Sequence, residues 1–400
     1  MQALRLYAGP VARQSIKKNG LQPGDIGTIP GAAGGPKGLI LGPLDQFLFG
    51  HWLAPSKHDV HLVGASIGAW RMATACLNDP VAAFKRLSHD YIHQHYELKP
   101  GEKRPTAKFV SERFGQSLQD FYGGRVHEVL QHPRYRLHIL TSRGRHVLGR
   151  ESKLRTPLGY LGAFLTNTVH RKAMGAWLER VVFSSSRSVA NDGAGGLQPW
   201  PLPFATQDYR TRQIRLSSDN FMSALQASCS IPFVLEAVHN IHGAPRGAYW
   251  DGGITDYHLH LNYSAFGGNA IDSVANYAHS TWANGSIDSQ LAVGRPPEPR
   301  LVLYPHFQKA VVPGWLDKGL KWRHKATHHL DTLLLLAPNP EWVKTLPNGK
   351  LPDRNDFTHY GNDLAGRVKA WTTAVSASTQ MADEFAAWLA QPDMRQVQPI

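Results

Sequence analysis

Residues 59–78 constrain the fold of this chain more than any other stretch. Asp59-Val60-His61-Leu62-Val63 is a short apolar run of the kind that makes a buried strand, and it stops at Gly64. Gly64-Ala65-Ser66-Ile67-Gly68 follows, and Ile67 to Leu77 then reads as a helix closed by Asn78-Asp79-Pro80. A strand that turns through a glycine-flanked serine straight into a helix points to a layered α/β arrangement, because the helix must pack back onto the sheet. The turn leaves the Ser66 hydroxyl exposed, with the positive end of the helix directed towards it. The pentapeptide alone arises easily in a chain with 37 glycines, so the flanking strand and helix carry the argument.

The rest of the chain fits that class. Asp25 to Ile29 reads as a short strand running into the glycine loop Ala33-Gly34-Gly35-Pro36-Lys37-Gly38, and Leu39 to Phe49 as a helix with Leu41, Leu44, Phe47 and Leu48 on its apolar face. Further strands are expected at Arg136–Ser142, Arg180–Ser184, Ile214–Leu216, Gly247–Trp250 and Arg300–Tyr304. Helices are expected at Val81–Tyr96 and Asn220–Cys229, and Gly361 to Leu389 repeats apolar positions at helical spacing. From Pro313 onward the chain reads as mostly helical. Gly101 to Pro105 reads as a polar loop. Ser185 to Thr206 has no clear period and reads as a long loop, either a lid or a passive insertion. With no internal repeat and no interdomain linker, one elaborated α/β domain over residues 1–400 is expected, with a central, mostly parallel sheet between helices.

Composition narrows the setting. No window approaches about 18 consecutive apolar residues, and the first residues lack the apolar core of a secretory signal. The two cysteines, Cys76 and Cys229, lie in apolar helical stretches and suit a reducing cytosol. The net charge is +13 with the basic residues scattered. The densest cluster, Lys318 to Lys325, mixes cations with Trp315, Leu316, Leu320 and Trp322, as interfacial segments do. The expectation is a cytoplasmic protein whose basic surface either makes peripheral contact with an anionic membrane or is solvated with no fixed partner. Nucleic acid is not an expected partner, since no recognition signature accompanies the charge. His324, His328 and His329 read as surface histidines on a basic helix, so no metal or other cofactor is expected. Trp371, Phe385 and Trp388 read as core packing.

Three motifs carry chemistry. Ser66 needs a base to become a nucleophile. His258, His260 and His306 follow it in the chain but sit in no distinctive pattern. Asp251, at a strand end before Gly252-Gly253, fits a carboxylate presented into a cleft. Burial would raise its pKa while the helix dipole at Ser66 would oppose that rise, and the sequence leaves the balance open. The glycine loop supplies backbone N–H groups that can nest an anion or an oxyanion. Pro36 cannot donate, so Gly34 and Gly35 are the candidate donors, with Lys37 as a nearby charge for substrate or anion binding. The loop has neither the Walker spacing nor Gly-x-Gly-x-x-Gly.

These motifs together resemble the patatin-like phospholipase family. The resemblance rests on Ala33–Gly38, Gly64–Gly68 and Asp251–Gly253, with Ala224–Pro232 as a fourth segment, and spans roughly residues 25 to 260. It implies a three-layer fold and a lipid acyl-ester hydrolase with a Ser66–Asp251 dyad, in which Gly34 and Gly35 hold the oxyanion. Transfer of the acyl group to another acceptor, or a lipid-binding protein with an inert site, are the alternatives. Ala33 replaces a glycine and Lys37 an arginine. Ile254-Thr255-Asp256-Tyr257-His258 follows Gly253 where the family often continues towards Asn-Pro, which marks the pocket as this chain's own.

Overall fold

The computed structural model describes residues 1–96, 105–189, 196–264 and 300–400. Most of the polar stretch expected at Gly101–Pro105 lies outside them, as do residues 190–195 of the expected loop.

Among the described residues, 11 strands form one sheet and two more pair separately. In chain order the strands are β1 (Leu4–Ala8), β2 (Ile26–Gly31), β3 (Val60–Ala65), β4 (Tyr135–Gly144), β5 (Leu178–Ser184), β6 (Ser186–Val189), β7 (Gly196–Pro199), β8 (Thr211–Arg215), β9 (Val238–His239), β10 (Ala248–Asp251), β11 (Leu301–Pro305), β12 (Leu333–Pro338) and β13 (Val397–Pro399). The spatial order is β13-β1-β12-β11-β2-β3-β4-β10-β9, with β5 also paired to β4 and β8 to β5. The pairings from β12 through β11, β2 and β3 to β4 are all parallel. Every residue of β2, β5, β10, β11 and β12 is buried, which requires cover on both faces of the sheet. That cover comes largely from helices. The longer ones are α1 (Pro10–Asn19), α2 (Ile67–Ala75), α3 (Pro80–Ile92), α4 (Ala107–Tyr122), α5 (Arg155–Val169), α6 (Phe221–Cys229), α7 (Leu364–Ala377) and α8 (Thr379–Ala390). The expected α/β class with a mostly parallel central sheet between helices is what the chain forms.

Several local expectations need correction. The C-terminal portion is mostly helical as expected, but β12 and β13 also complete the sheet there and pair with β1 at the far N-terminus. The apolar run Leu333-Leu334-Leu335-Leu336 has no polar face, so it is equally compatible with a buried strand. The 185–206 stretch is not a structureless loop: β6 and β7 pair antiparallel as a separate small sheet. Leu39–Phe49 is not one α-helix but a 3₁₀ turn (Gly35–Leu41), a short α-helix (Gly42–Phe47) and a π turn (Leu48–Trp52). The helix expected to Tyr96 ends at Ile92, and the Gly361–Leu389 periodicity is divided between α7 and α8 at Ser378. His324, His328 and His329 share no helix; they lie in two 3₁₀ turns, Lys321–His324 and His328–Leu330. Trp371, Phe385 and Trp388 are core residues as expected, with Trp371 donating to Asp356 at 2.8 Å. Cys76 and Cys229 are free thiols.

Candidate active site

The site is made where two strands meet end to end along one edge of β4. β3 runs parallel to β4 and its last residue, Ala65, pairs with Leu140. β10 runs antiparallel and its last residue, Asp251, pairs with Thr141. Strand β5 pairs with β4 across both stretches, so β3 and β10 share the opposite edge. Their C-terminal ends therefore face each other one register position apart. Ser66 leaves the first end and Asp251 closes the second. Although 185 residues separate them, the Ser66 hydroxyl donates to Asp251 Oδ2 at 2.6 Å.

The elbow holds Ser66 in a strained conformation. Its φ is 57° and ψ is −132°, a region that non-glycine residues rarely enter and that costs of order 1–3 kcal/mol. Surrounding contacts enforce it. The Ser66 amide donates to Ser228 Oγ at 3.0 Å, and Ser228 Oγ donates onward to the Leu140 carbonyl at 2.7 Å. Gly68 allows α2 to press against β2, since a Cβ there would sit 1.8 Å from the Gly31 carbonyl oxygen. Asp251 is fixed in turn. Its amide donates to the Ser230 carbonyl at 2.8 Å, and its Oδ1 accepts from the Gly253 amide at 2.7 Å. The Ala-Ser-Cys-Ser segment at the end of α6 thus braces both residues. Burial pushes the Asp251 pKa above the ordinary carboxylate value; hydrogen bonds from Ser66 and Gly253 and the charges of Arg354 and Lys318 oppose the rise without cancelling it.

The glycine loop lies beside the elbow because Gly31 pairs with Gly64. The Ala33 amide is committed to the Tyr257 carbonyl at 2.9 Å. The Gly34 and Gly35 amides find no backbone or side-chain acceptor among the described residues, and Gly34 lines the cavity. Gly34 must lack a side chain because a Cβ would lie 2.4 Å from the Phe307 ring, and Gly35 has φ 58°. Gly35 does not itself line the cavity.

The cavity, about 240 Å³, is lined by Ser66 and Asp251 together with Ala33, Gly34, Lys37, Gly253, Ile231, Ile254, Tyr257 and Trp315. Lys318, Asp353, Arg354 and Asn355 close the rest. Among the described residues no histidine lines it. His258 and His306 are fully buried, with Nδ1 of each at a backbone carbonyl, and His260 bonds the Val311 carbonyl and Thr327. Burial lowers the pKa of all three, to about 3 for His306 and about 4 for His260. None bonds Ser66 or Asp251 among the described residues.

The segment after Gly253 builds the wall. Asp256, 1% exposed, takes two hydrogen bonds from Arg180 at 2.6 and 2.7 Å. Thr255 donates its amide to Ser142 at 3.3 Å, its carbonyl accepts from Arg171, and Tyr257 presents its ring to the cavity. On the other side Asp45 takes a bidentate pair from Arg71 of α2, both bonds 2.7 Å, which ties the elbow helix to the Gly42–Phe47 helix.

The sequence patterns missed Arg354, Asp353, Asn355 and Tyr257 as site residues and assigned Trp315 and Lys318 only to an interfacial segment. Leu351-Pro352-Asp353-Arg354-Asn355 has no motif; only its place in the fold brings it to the cavity. Among the described residues, no cluster of His, Cys, Asp and Glu could hold a metal ion. No protein-family model matches the chain, and comparison with curated proteins gives no significant match.

Proposed function

We propose that the protein is a serine hydrolase of acyl esters, of the patatin-like type, working with a Ser66–Asp251 dyad. The observation that carries the reading is the 2.6 Å hydrogen bond from the strained Ser66 hydroxyl to a buried carboxylate, in a cavity with no histidine on its wall among the described residues. In the reaction Ser66 Oγ bonds to the ester carbonyl carbon while Asp251 Oδ2 takes the hydroxyl proton. The carbonyl oxygen becomes an oxyanion held by the Gly34 and Gly35 amides. Collapse breaks the ester C–O bond, and the leaving alkoxide takes the proton from Asp251. Water then gives a proton to Asp251 and attacks the acyl-enzyme; Ser66 departs with that proton, releasing the carboxylic acid. The raised pKa of Asp251 supports this role, because it brings the carboxylate closer to a serine hydroxyl in proton affinity.

A lipid substrate is supported by the outer surface of α5. Leu158, Leu161 and Leu165 are 65%, 53% and 55% exposed, and Leu154 and Val169 extend the stripe at both ends. No acidic residue occurs between Ser152 and Leu178, while Lys153, Arg155, Arg171 and Lys172 flank the helix. Exposed Phe233 packs against Tyr160 of α5, two residues from the cavity residue Ile231. Trp322, 64% exposed, follows Lys321 and precedes Arg323, which bonds Asn167 and the Thr168 carbonyl of α5. An apolar ridge with flanking cations suits an anionic lipid surface. Among the described residues no helix is long and apolar enough to cross a membrane.

The test is labelling with a fluorophosphonate and hydrolysis of a short-chain nitrophenyl ester. Both should occur in the natural chain and vanish in Ser66→Ala; equal turnover by the two proteins would overturn the reading. Added alcohols competing with water would show whether the acyl group is also transferred.

A further inference from the structure

β3 and β10 deliver Ser66 and Asp251 to one edge of β4, but the two strands do not pair with each other. They meet at the Leu140 carbonyl of β4. It accepts from Ser228 Oγ at 2.7 Å, and the chain leaving Asp251 passes so close that a Cβ on Gly252 would stand 2.2 Å from its oxygen. The C-terminal end of α6 spans the gap. The Ser66 amide hangs from residue 228 at 3.0 Å and the Asp251 amide from residue 230 at 2.8 Å. One helix end therefore sets the separation of two backbones that lie 185 residues apart in the chain.

The two anchors differ in kind. At Ser230 the acceptor is a backbone carbonyl, which any residue would supply. At Ser228 it is a side-chain hydroxyl, fully buried. Its single proton goes to Leu140, so its oxygen faces the Ser66 N–H purely as an acceptor. No other acceptor among the described residues takes that amide. Without the hydroxyl, a buried N–H would be left unpaired on a residue already strained at φ 57°, and both penalties favour rotation of the elbow to negative φ. Such a rotation carries Oγ off Asp251. The same bond keeps the Ser66 amide from serving an oxyanion, which leaves that charge to the glycine loop. The Ser230 hydroxyl, by contrast, turns back on its own helix and donates to the Gln226 carbonyl at 3.0 Å.

We propose that Ser228 is a positioning residue of the hydrolase, whose hydroxyl holds the Ser66 elbow in the conformation that brings the nucleophile onto Asp251. This rests on the acyl-ester reading of the dyad and adds to it a side chain that touches neither substrate nor reacting atoms. Ser228 is absent from the cavity wall, so its loss should spoil alignment rather than affinity. Misplacing a nucleophile by about 1 Å costs on the order of 100-fold in rate.

Ser228→Ala removes the hydroxyl alone. On a nitrophenyl ester its kcat should fall about 100-fold with KM within about threefold of the natural chain, and Ser228→Thr, which keeps a hydroxyl on Cβ, should recover most of the loss. Thr141→Val is the control. Thr141 is equally buried and follows Leu140 on β4, but its hydroxyl donates to the Val181 carbonyl at 3.0 Å, on the side of β4 away from the dyad. The control should lose comparable thermal stability and keep kcat within about threefold. The acid limb of kcat/KM reports Asp251. In Ser228→Ala it should move to higher pH, because the Ser66 hydrogen bond that opposes the raised Asp251 pKa goes with the elbow; in Thr141→Val it should stay in place. A natural kcat in Ser228→Ala, an equal loss in both variants or an unmoved acid limb would overturn the proposal. If Ser228→Ala does not fold, Ser228→Cys, a weaker acceptor of similar size, takes its place in each arm. A crystal structure of the variant reads the claim without turnover: Ser66 at negative φ with its hydroxyl off Asp251 supports it, and φ near 57° with that bond intact refutes it. Failure of the hydrolase reading looks different, as no turnover and no labelling of the natural chain, and the crystal structure then still decides the role of Ser228.

Discussion

Replacing Asp251 by Asn separates the base from the shape it occupies. The carboxylate accepts from Gly253 N–H on Oδ1 and from the Ser66 hydroxyl on Oδ2. An amide has one acceptor oxygen and one NH₂. The Gly253 amide is a fixed backbone donor, so the carboxamide oxygen must face it and the NH₂ must face Ser66. The serine then receives an N–H instead of donating its own proton, and no group remains to take that proton. Loss of a general base costs about 100- to 10,000-fold; the reversed hydrogen bond places Asp251→Asn at the upper end, near 5 kcal/mol in activation free energy. Stability should move the other way. Because burial holds the Asp251 pKa above its unfolded value, ionising it in the folded state works against folding. That loss is absent below the ordinary carboxylate range, grows as pH rises towards the folded pKa and is complete above it. The Asn variant escapes it, so at neutral pH its melting temperature should equal or exceed that of the natural chain. The assay is kcat/KM on a nitrophenyl ester beside calorimetric melting at acidic and neutral pH. Turnover within tenfold of the natural chain, with the fold intact, would refute Asp251 as the base.

The strain at Ser66 gives a second comparison: Ser66→Gly and Ser66→Ala should both be inactive, but the glycine variant should be more stable by roughly 1 kcal/mol, the 1–3 kcal/mol of strain less the entropy of glycine; equal denaturant midpoints would count against strain. Leu158→Gln with Leu165→Gln should lower partitioning onto anionic vesicles by about tenfold per residue while leaving the melting temperature unchanged, since both side chains already face solvent. Asp45→Ala leaves Arg71 buried and unpaired, so it should lose about 3–5 kcal/mol of stability in urea titration.

The parts of the fold legible in the sequence were those whose local pattern has a single reading. The strand–Ser66–helix unit was one, since glycines at 64 and 68 leave few alternatives to a tight turn. Leu333–Pro338 was not, because an apolar run with no polar face fits a buried strand and a buried helix alike, and only pairing with β1 and β11 decides. β1 and β13 failed for a related reason. They are short strands whose partners lie more than 300 residues away along the chain, and nothing local announces such a pairing. Within the site, Ser66, Asp251 and Gly34 could be picked out because each sits in a motif that ends a strand. Arg354 could not, since an arginine in an irregular segment has no period and no spacing to betray it.

The residues after Gly253 join these two lessons. In the sequence, Ile254 to His258 departed from the pattern of the resemblance and obscured the pocket. In the fold the same five residues act as a bracket. Asp256 is clamped by Arg180, the Tyr257 carbonyl captures the Ala33 amide, and the Tyr257 ring supports the Lys318 ammonium. Capture of Ala33 leaves Gly34 and Gly35 as the uncommitted amides of the loop, so a peptide bond at Tyr257 helps determine which donors face an oxyanion. The ring of the same residue lies 4.0 Å from the Lys318 ammonium at the cavity wall. Tyr257 therefore meets the site twice, through its carbonyl at the glycine loop and through its side chain at the cavity wall. Tyr257→Leu keeps the carbonyl and removes the ring, so turnover of a nitrophenyl ester should stay within about tenfold of the natural chain, and a loss as deep as that of Ser66→Ala would show that the ring, not the carbonyl, is what the oxyanion loop needs.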